Sequence, residues 1–208
     1  NNSVYSNTIT TSGSSGYGVQ LLTSSNNSVY SNTITTSGGN AVGAYLETSS
    51  KNNVYSNKIT TSGSTGSGVT LNVNSRNNNV YSNTMTLSGS SGIGVSIDTS
   101  SNNSVYSNTM TTSGDVAYGA YLTQSINNSV YSNTITTNGS NGYGVYLLLN
   151  SNNNNVYSNN ITTLNTSSYG IYLSNIARNN TIYDNNITTK NTTGSYGIYL
   201  LQNVNNNT

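Results

Sequence analysis

Apolar and polar residues alternate along this chain in short bursts, not in helical stripes. Val4, Ile9, Val19 and Leu21 are each flanked by polar or aromatic neighbours, the period-two pattern of strands with one buried face. The bursts recur. V-Y-S-N begins at Val4, Val29, Val54, Val80, Val105, Val130 and Val156 and returns as I-Y-D-N from Ile182, at spacings of 25 or 26 residues. A glycine leading a second apolar alternation recurs in phase at Gly18, Gly43, Gly68, Gly94, Gly119, Gly144, Gly170 and Gly197. The chain thus reads as eight coils of 25 to 27 residues, starting at residues 1, 26, 51, 77, 102, 127, 153 and 179. One-residue length changes fall between the anchors, where loops belong.

Stacking the coils predicts four inward aliphatic columns. The first runs from Val4 to Ile182; the second is Ile9, Ile34, Ile59, Met85, Met110, Ile135, Ile161 and Ile187. The third is Val19, Ala44, Val69, Val95, Ala120, Val145, Ile171 and Ile198, and the fourth Leu21, Leu46, Leu71, Ile97, Leu122, Leu147, Leu173 and Leu200. Helical solenoids are excluded, because the coil is rich in Gly, Ser, Asn and Thr and has no 3.6-residue stripe. The predicted fold is all-β: one right-handed parallel β-helix (a β-solenoid) over residues 1–208, an excerpt of a longer solenoid if more coils flank it. Each coil buries its neighbour's columns, so stability is roughly additive along the axis.

The frame N-N-x-V-x-x-N-x-I-T followed by Y-G-V/I-Y-L resembles the parallel β-helix repeats of NosD-type and pectin-lyase-like proteins, over all 208 residues. The resemblance implies the fold and leaves activity open. Such proteins include lyases, hydrolases, copper-maturation factors, adhesins and structural proteins, and fold alone does not choose among them. The nearest match in character is a surface or structural member.

The outward positions also form columns. Tyr5, Tyr30, Tyr55, Tyr81, Tyr106, Tyr131, Tyr157 and Tyr183 follow the Val anchor, and the other ten tyrosines flank the glycine. At the ~4.8 Å strand spacing their rings can stack, as a stiffening ladder or as a contact surface for sugar or a neighbouring filament. Asn7, Asn32, Asn57, Asn83, Asn108, Asn133, Asn159 and Asn185 predict a structural amide ladder. Ser6 and its equivalents are expected to form a matching internal hydroxyl ladder, with Asp184 replacing Ser in the last coil.

Composition narrows the chemistry. Charged residues are 4% of the chain, net charge is +1, and Cys, His, Pro and Trp are missing. Tyrosine and β-branched residues argue against disorder. The balance gives no electrostatic reason to expect nucleic acid as a partner, and no apolar run reaches transmembrane length. The acids are Glu47, Asp98, Asp115 and Asp184; Glu47 and Asp98 share a column but Asn72 separates them by ~10 Å, so no acid–base pair forms. The calcium site that resemblance to pectate lyases would imply cannot be assembled from them. A copper role like that of NosD proteins would want His, Cys or clustered Met, and Met85 and Met110 sit in the inward column. No catalytic residue, metal site or cofactor is expected.

N-glycosylation sequons occur at Asn1, Asn26, Asn102, Asn127, Asn138, Asn160, Asn165, Asn179, Asn186, Asn191 and Asn206, no more than this Asn-, Ser- and Thr-rich composition yields by chance. Covalent glycans at the coil starts would leave the stack undisturbed. The chain opens on Asn1 and not Met, as a processed secreted protein or an excerpt would. Neither end shows an atypical capping coil, which leads to the expectation of head-to-tail or lateral self-association. The sequence reading is an extracellular or cell-surface rod, sheath or filament. The alternatives are an ice-binding solenoid using T-x-T pairs (Thr8/Thr10, Thr33/Thr35, Thr84/Thr86, Thr109/Thr111, Thr134/Thr136), broken by Lys58, Asn160 and Asn186, and an adhesin or carbohydrate-binding stalk.

Overall fold

In the computed structural model, which describes residues 1–190 and 193–208, the alternating bursts form three parallel sheets of eight strands each. The first sheet runs from Ser3–Tyr5 to Thr181–Tyr183, the second from Thr8–Thr11 to Asn186–Thr189, and the third from Tyr17–Leu22 to Tyr196–Leu201. Every strand pairs with its equivalent one coil away, and pairing is in register: Val80 faces Val54 and Val105, and Met85 faces Ile59 and Met110. The molecule is a parallel β-helix of eight turns.

The four aliphatic columns meet inside. Val29, Ile34, Ala44, Leu46 and their equivalents through Ile161 and Leu173 are 0–1% exposed. The glycine anchors let two sheets approach, since a Cβ on Gly43 would lie 2.4 Å from Ile59 Cγ2. A second glycine column lies in the turn between the second and third sheets. A Cβ on Gly89 would fall 1.7 Å from the carbonyl oxygen of Gly63 in the coil below, so backbone stacks directly on backbone there.

Polar ladders seal the corners. Within the column from Asn7 to Asn185, the backbone N and Nδ2 of each Asn donate to Oδ1 of the next, as from Asn83 to Asn108 at 3.0 and 3.0 Å. Nδ2 of Asn83 also donates to the carbonyls of Val54 and Tyr81. A second ladder, built on the second Asn of the N-N-x-V frame, had no place in the sequence reading. It links Asn2, Asn27, Asn52, Asn78, Asn103, Asn128, Asn154, Asn180 and Asn207 by the same paired donation.

The expected internal hydroxyl ladder at Ser6 is corrected. Ser6, Ser31, Ser56, Ser82, Ser107, Ser132 and Ser158 are exposed and left-handed, with φ between 53° and 55°. One left-handed residue reverses the alternation, so that Tyr points out and the following Asn points in. Asp184 keeps the same bend at φ 54°, because a short polar side chain tolerates this region. The hydroxyl ladder lies at another corner, where the backbone N of Ser24, Ser49, Ser75, Ser100 and Ser125 donates to Oγ of the serine one coil on.

One inward column is polar and mostly unbonded, although Thr137 Oγ1 donates to the Gly142 carbonyl at 3.4 Å. Thr36, Thr61, Thr112 and Thr163 are fully buried and their Oγ1 atoms have no hydrogen-bond partner, while Leu87 occupies the same column at 0% exposure. A buried hydroxyl without a partner is a desolvation penalty, whereas a ladder amide satisfies several groups at once. Thr61→Val is therefore expected to stabilise by about 1 kcal/mol, and Asn108→Ala to destabilise by about 3 kcal/mol or more. Paired denaturation midpoints check both signs, and a Thr61→Val midpoint below the parent's contradicts the account.

Candidate functional site

Between its ends the interior is closed by packing, so the chemistry the coils present lies in the outward columns and the turns. The first sheet carries Tyr5, Tyr30, Tyr55, Tyr81, Tyr106, Tyr131, Tyr157 and Tyr183 as one continuous stack. Neighbouring ring centroids are 4.8–5.1 Å apart and within 8° of parallel. Each inner ring has a neighbour on both faces, which leaves its edge and hydroxyl at the surface. The distance between neighbouring strands sets this spacing, so the stack follows from register alone.

The third sheet carries a different set. Tyr118, Tyr143, Tyr169 and Tyr196 precede the glycine, and Tyr121, Tyr146, Tyr172 and Tyr199 follow it. Tyr143 stacks on Tyr169 at 10° but meets Tyr146 at 83° and Tyr172 at 74°. Tyr146 Oη lies 3.1 Å from Ser174 Oγ. Burial among these rings pushes the Tyr143 phenol up to about 12 and raises Tyr118 well above its usual range, with neighbouring phenols adding to both.

The second sheet presents threonine. Thr10, Thr35, Thr60, Thr86, Thr111, Thr136, Thr162 and Thr188 form an unbroken outward column. The parallel column through Thr8, Thr33, Thr84, Thr109 and Thr134 is interrupted by Lys58, Asn160 and Asn186.

The sequon residues are placed by backbone geometry. Asn26, Asn102, Asn127, Asn179 and Asn206 occupy one exposed corner with φ between 55° and 58°, together with Lys51, Asn77 and Asn153. Asn suits the left-handed region, and the residue two positions on is an outward strand residue, commonly Ser or Thr. Fold therefore generates sequons at this edge. Asn1, Asn138, Asn160 and Asn186 are also exposed, and Asn160 Oδ1 accepts from Asn186 Nδ2 at 3.1 Å. Asn165 is half-buried, with Oδ1 accepting from the backbone N of Thr166. Asn191 lies outside the described residues.

Ionisable chemistry is dispersed. Glu47 accepts from Tyr45 Oη at 2.6 Å, and Asn72 Nδ2 donates to the same phenol oxygen at 2.8 Å. Asp98 accepts from Thr99 Oγ1, Asp115 is exposed in a turn, and Asp184 is exposed on its bend. Among the described residues no three of His, Cys, Asp and Glu come together as a metal site. Met85 and Met110 are stacked in the interior at 0% exposure.

The raised phenols give a signed pH dependence. A phenol that keeps its proton longer when folded adds stability that is intact below the unfolded value near 10 and lost as pH rises toward about 12. Phenolate absorbance should show a late-titrating class in the third sheet, and the melting temperature should fall from about pH 10 upward. All phenols ionising together near pH 10 would contradict the packing.

No helix among the described residues is long and apolar enough to cross a membrane. No individually curated protein matches the chain. Residues 1–87 and 93–208 match the family described as Periplasmic copper-binding protein (NosD). With register, columns and corners those of a parallel β-helix throughout, the chain belongs to the NosD family.

Proposed function

We propose that this chain is an extracellular structural element, a stiff rod of a cell-surface layer, sheath or filament in which coils of neighbouring chains stack along the axis. One observation carries the reading. Amide ladders and a ring stack run through all eight coils, while no face of the described residues gathers acids, bases or metal ligands. Such a chain has its chemistry in its repetition. Glycans on the exposed left-handed corner at Asn26, Asn102, Asn127, Asn179 or Asn206 would coat the rod without entering the stack.

The family's description names copper, and the donors here do not fit it. His and Cys are missing from the sequence. The two thioethers are sealed inside the second inward column, with Met85 Sδ and Met110 Sδ against Gly68 and Gly94. Copper would need soft or imidazole donors that can converge on it.

Negative-stain microscopy of the purified chain is expected to show rods longer than the ~38 Å of eight coils. A population that remains discrete single units at high concentration overturns axial stacking.

A second reading rests on the unbroken threonine column. Eight in-register hydroxyl–methyl pairs beside a mostly threonine neighbour column make a flat, regular array suited to ordering water at an ice surface. It predicts thermal hysteresis that Thr86→Lys with Thr111→Lys abolishes. Ice growth unaffected by the parent protein removes this reading.

A further inference from the structure

The two tyrosine sets differ in distribution, and that difference is informative. The first-sheet stack occurs in every coil and so belongs to the repeat. The third-sheet pairs are confined to the last four coils: Tyr118 with Tyr121, Tyr143 with Tyr146, Tyr169 with Tyr172, and Tyr196 with Tyr199. At the same positions the first four coils hold Tyr17 with Gln20, Val42 with Tyr45, Ser67 with Thr70, and Ile93 with Ser96. Those coils keep every ladder and the whole aliphatic interior. The fold therefore does not require the paired rings.

The eight rings make a continuous aromatic platform, stacked or tilted along the axis. Within a coil the two rings cross at 83° and 64° in the middle two of these coils and lie at 27° and 17° in the outer two. Along the same strands the platform gives way to a groove of about 570 Å³ lined by Leu149, Asn150, Asn175, Ile176, Gln202 and Asn203. The side-chain amides of these four polar residues make no hydrogen bond among the described residues, so donors and acceptors stand free in the turns that follow these strands. Neither platform nor groove is lined by a charged side chain; Asp98 and Arg178 lie at its margins. Aromatic faces and edges pack against the C–H surfaces of sugars, and free amides match their hydroxyls. Rings and free amides with no charge among them, and with Arg178 Nε bonded to the Asn203 carbonyl at one margin, suit a ligand without charge. The ~4.8 Å coil rise presents the same pair of rings again at each step along the axis, which favours an extended chain over a compact ligand.

We propose that the third-sheet face of the last four coils binds an extended neutral polysaccharide, with the paired tyrosines packing on sugar rings and Asn150, Asn175, Gln202 and Asn203 bonding the hydroxyls. Binding does not rest on axial stacking, and a monomeric rod would show it equally.

The probes are amorphous cellulose, chitin and soluble β-glucan as neutral glycans, with polygalacturonate as the acidic control. The parent chain should be retained by at least one neutral probe and be insensitive to salt. Tyr146→Ser with Tyr172→Thr, residue types that Ser96 and Thr70 already supply at this position, should weaken retention about tenfold or more. Tyr106→Ser with Tyr131→Thr in the first-sheet stack should leave it within about twofold. Binding to no neutral probe, binding to polygalacturonate alone, or equal loss in both variants overturns the proposal. Should the first variant fail to fold, Thr70→Tyr with Ser96→Tyr decides instead. It joins Tyr45 to the platform in one unbroken column and must tighten binding; unchanged affinity overturns the proposal.

Discussion

Everything in this molecule depends on one constraint: each residue must land on its counterpart one coil away, at the distance set by parallel strand pairing. The aliphatic columns satisfy it by matching shape, and the asparagine ladders satisfy it by matching donor to acceptor. A register slip of one residue would turn every inward side chain outward and break the ladders at both asparagine corners. The same constraint explains the glycines. Gly63 and Gly89 are stacked so closely that their carbonyls leave no room for a side chain above.

Most length variation falls in one turn that can absorb it, and the last coil gains one further residue between Thr189 and Tyr196. The turn after the third sheet contains one left-handed residue in four coils, at Thr23, Thr48, Thr99 and Gln124. In the other four coils the turn contains two, at Val73 and Asn74, Leu149 and Asn150, Asn175 and Ile176, and Gln202 and Asn203. Val73 and Ile176 are β-branched residues in a region such side chains avoid, so the local backbone is strained there while the columns stay aligned. The groove beside the tyrosine platform is lined by these same doubled turns. The extra residues that spare the stack thus shape the surface, and surface features tied to particular coils are where this repeat departs from pure repetition.

Much of the architecture was legible because inward and outward positions differ in polarity. Val4, Ile9, Val19 and Leu21 announce their burial, and Asn7 announces its ladder by recurring without exception. Three features were not legible. The ladder from Asn2 to Asn207 hid beside a neighbouring asparagine column that serves the left-handed corner, and composition cannot separate the two. Ser6 recurs as faithfully as Asn7, yet its constancy reflects a bend at positive φ and not a buried hydroxyl. Thr36 and Thr61 stand outside the four aliphatic columns that the alternation predicts, yet the strand buries them. The sequence contains the confinement of the paired tyrosines to the last four coils, but only the register of the third sheet shows that they form one surface.

The ladders also have a sense of direction. In both asparagine columns each side-chain carbonyl oxygen points back to the preceding coil and accepts from its backbone N and Nδ2, while each Nδ2 also donates to a backbone carbonyl of the preceding coil. Parallel strands nearly cancel their own backbone dipoles, but these side-chain dipoles are all aligned and therefore add. The rod is electrically polar despite its scarcity of charge, with its positive pole toward the C-terminal coil. Two such rods lying side by side are favoured antiparallel, and two in line are favoured head to tail. An uncharged column of amides thereby gives a nearly neutral protein an electrical direction along its own axis.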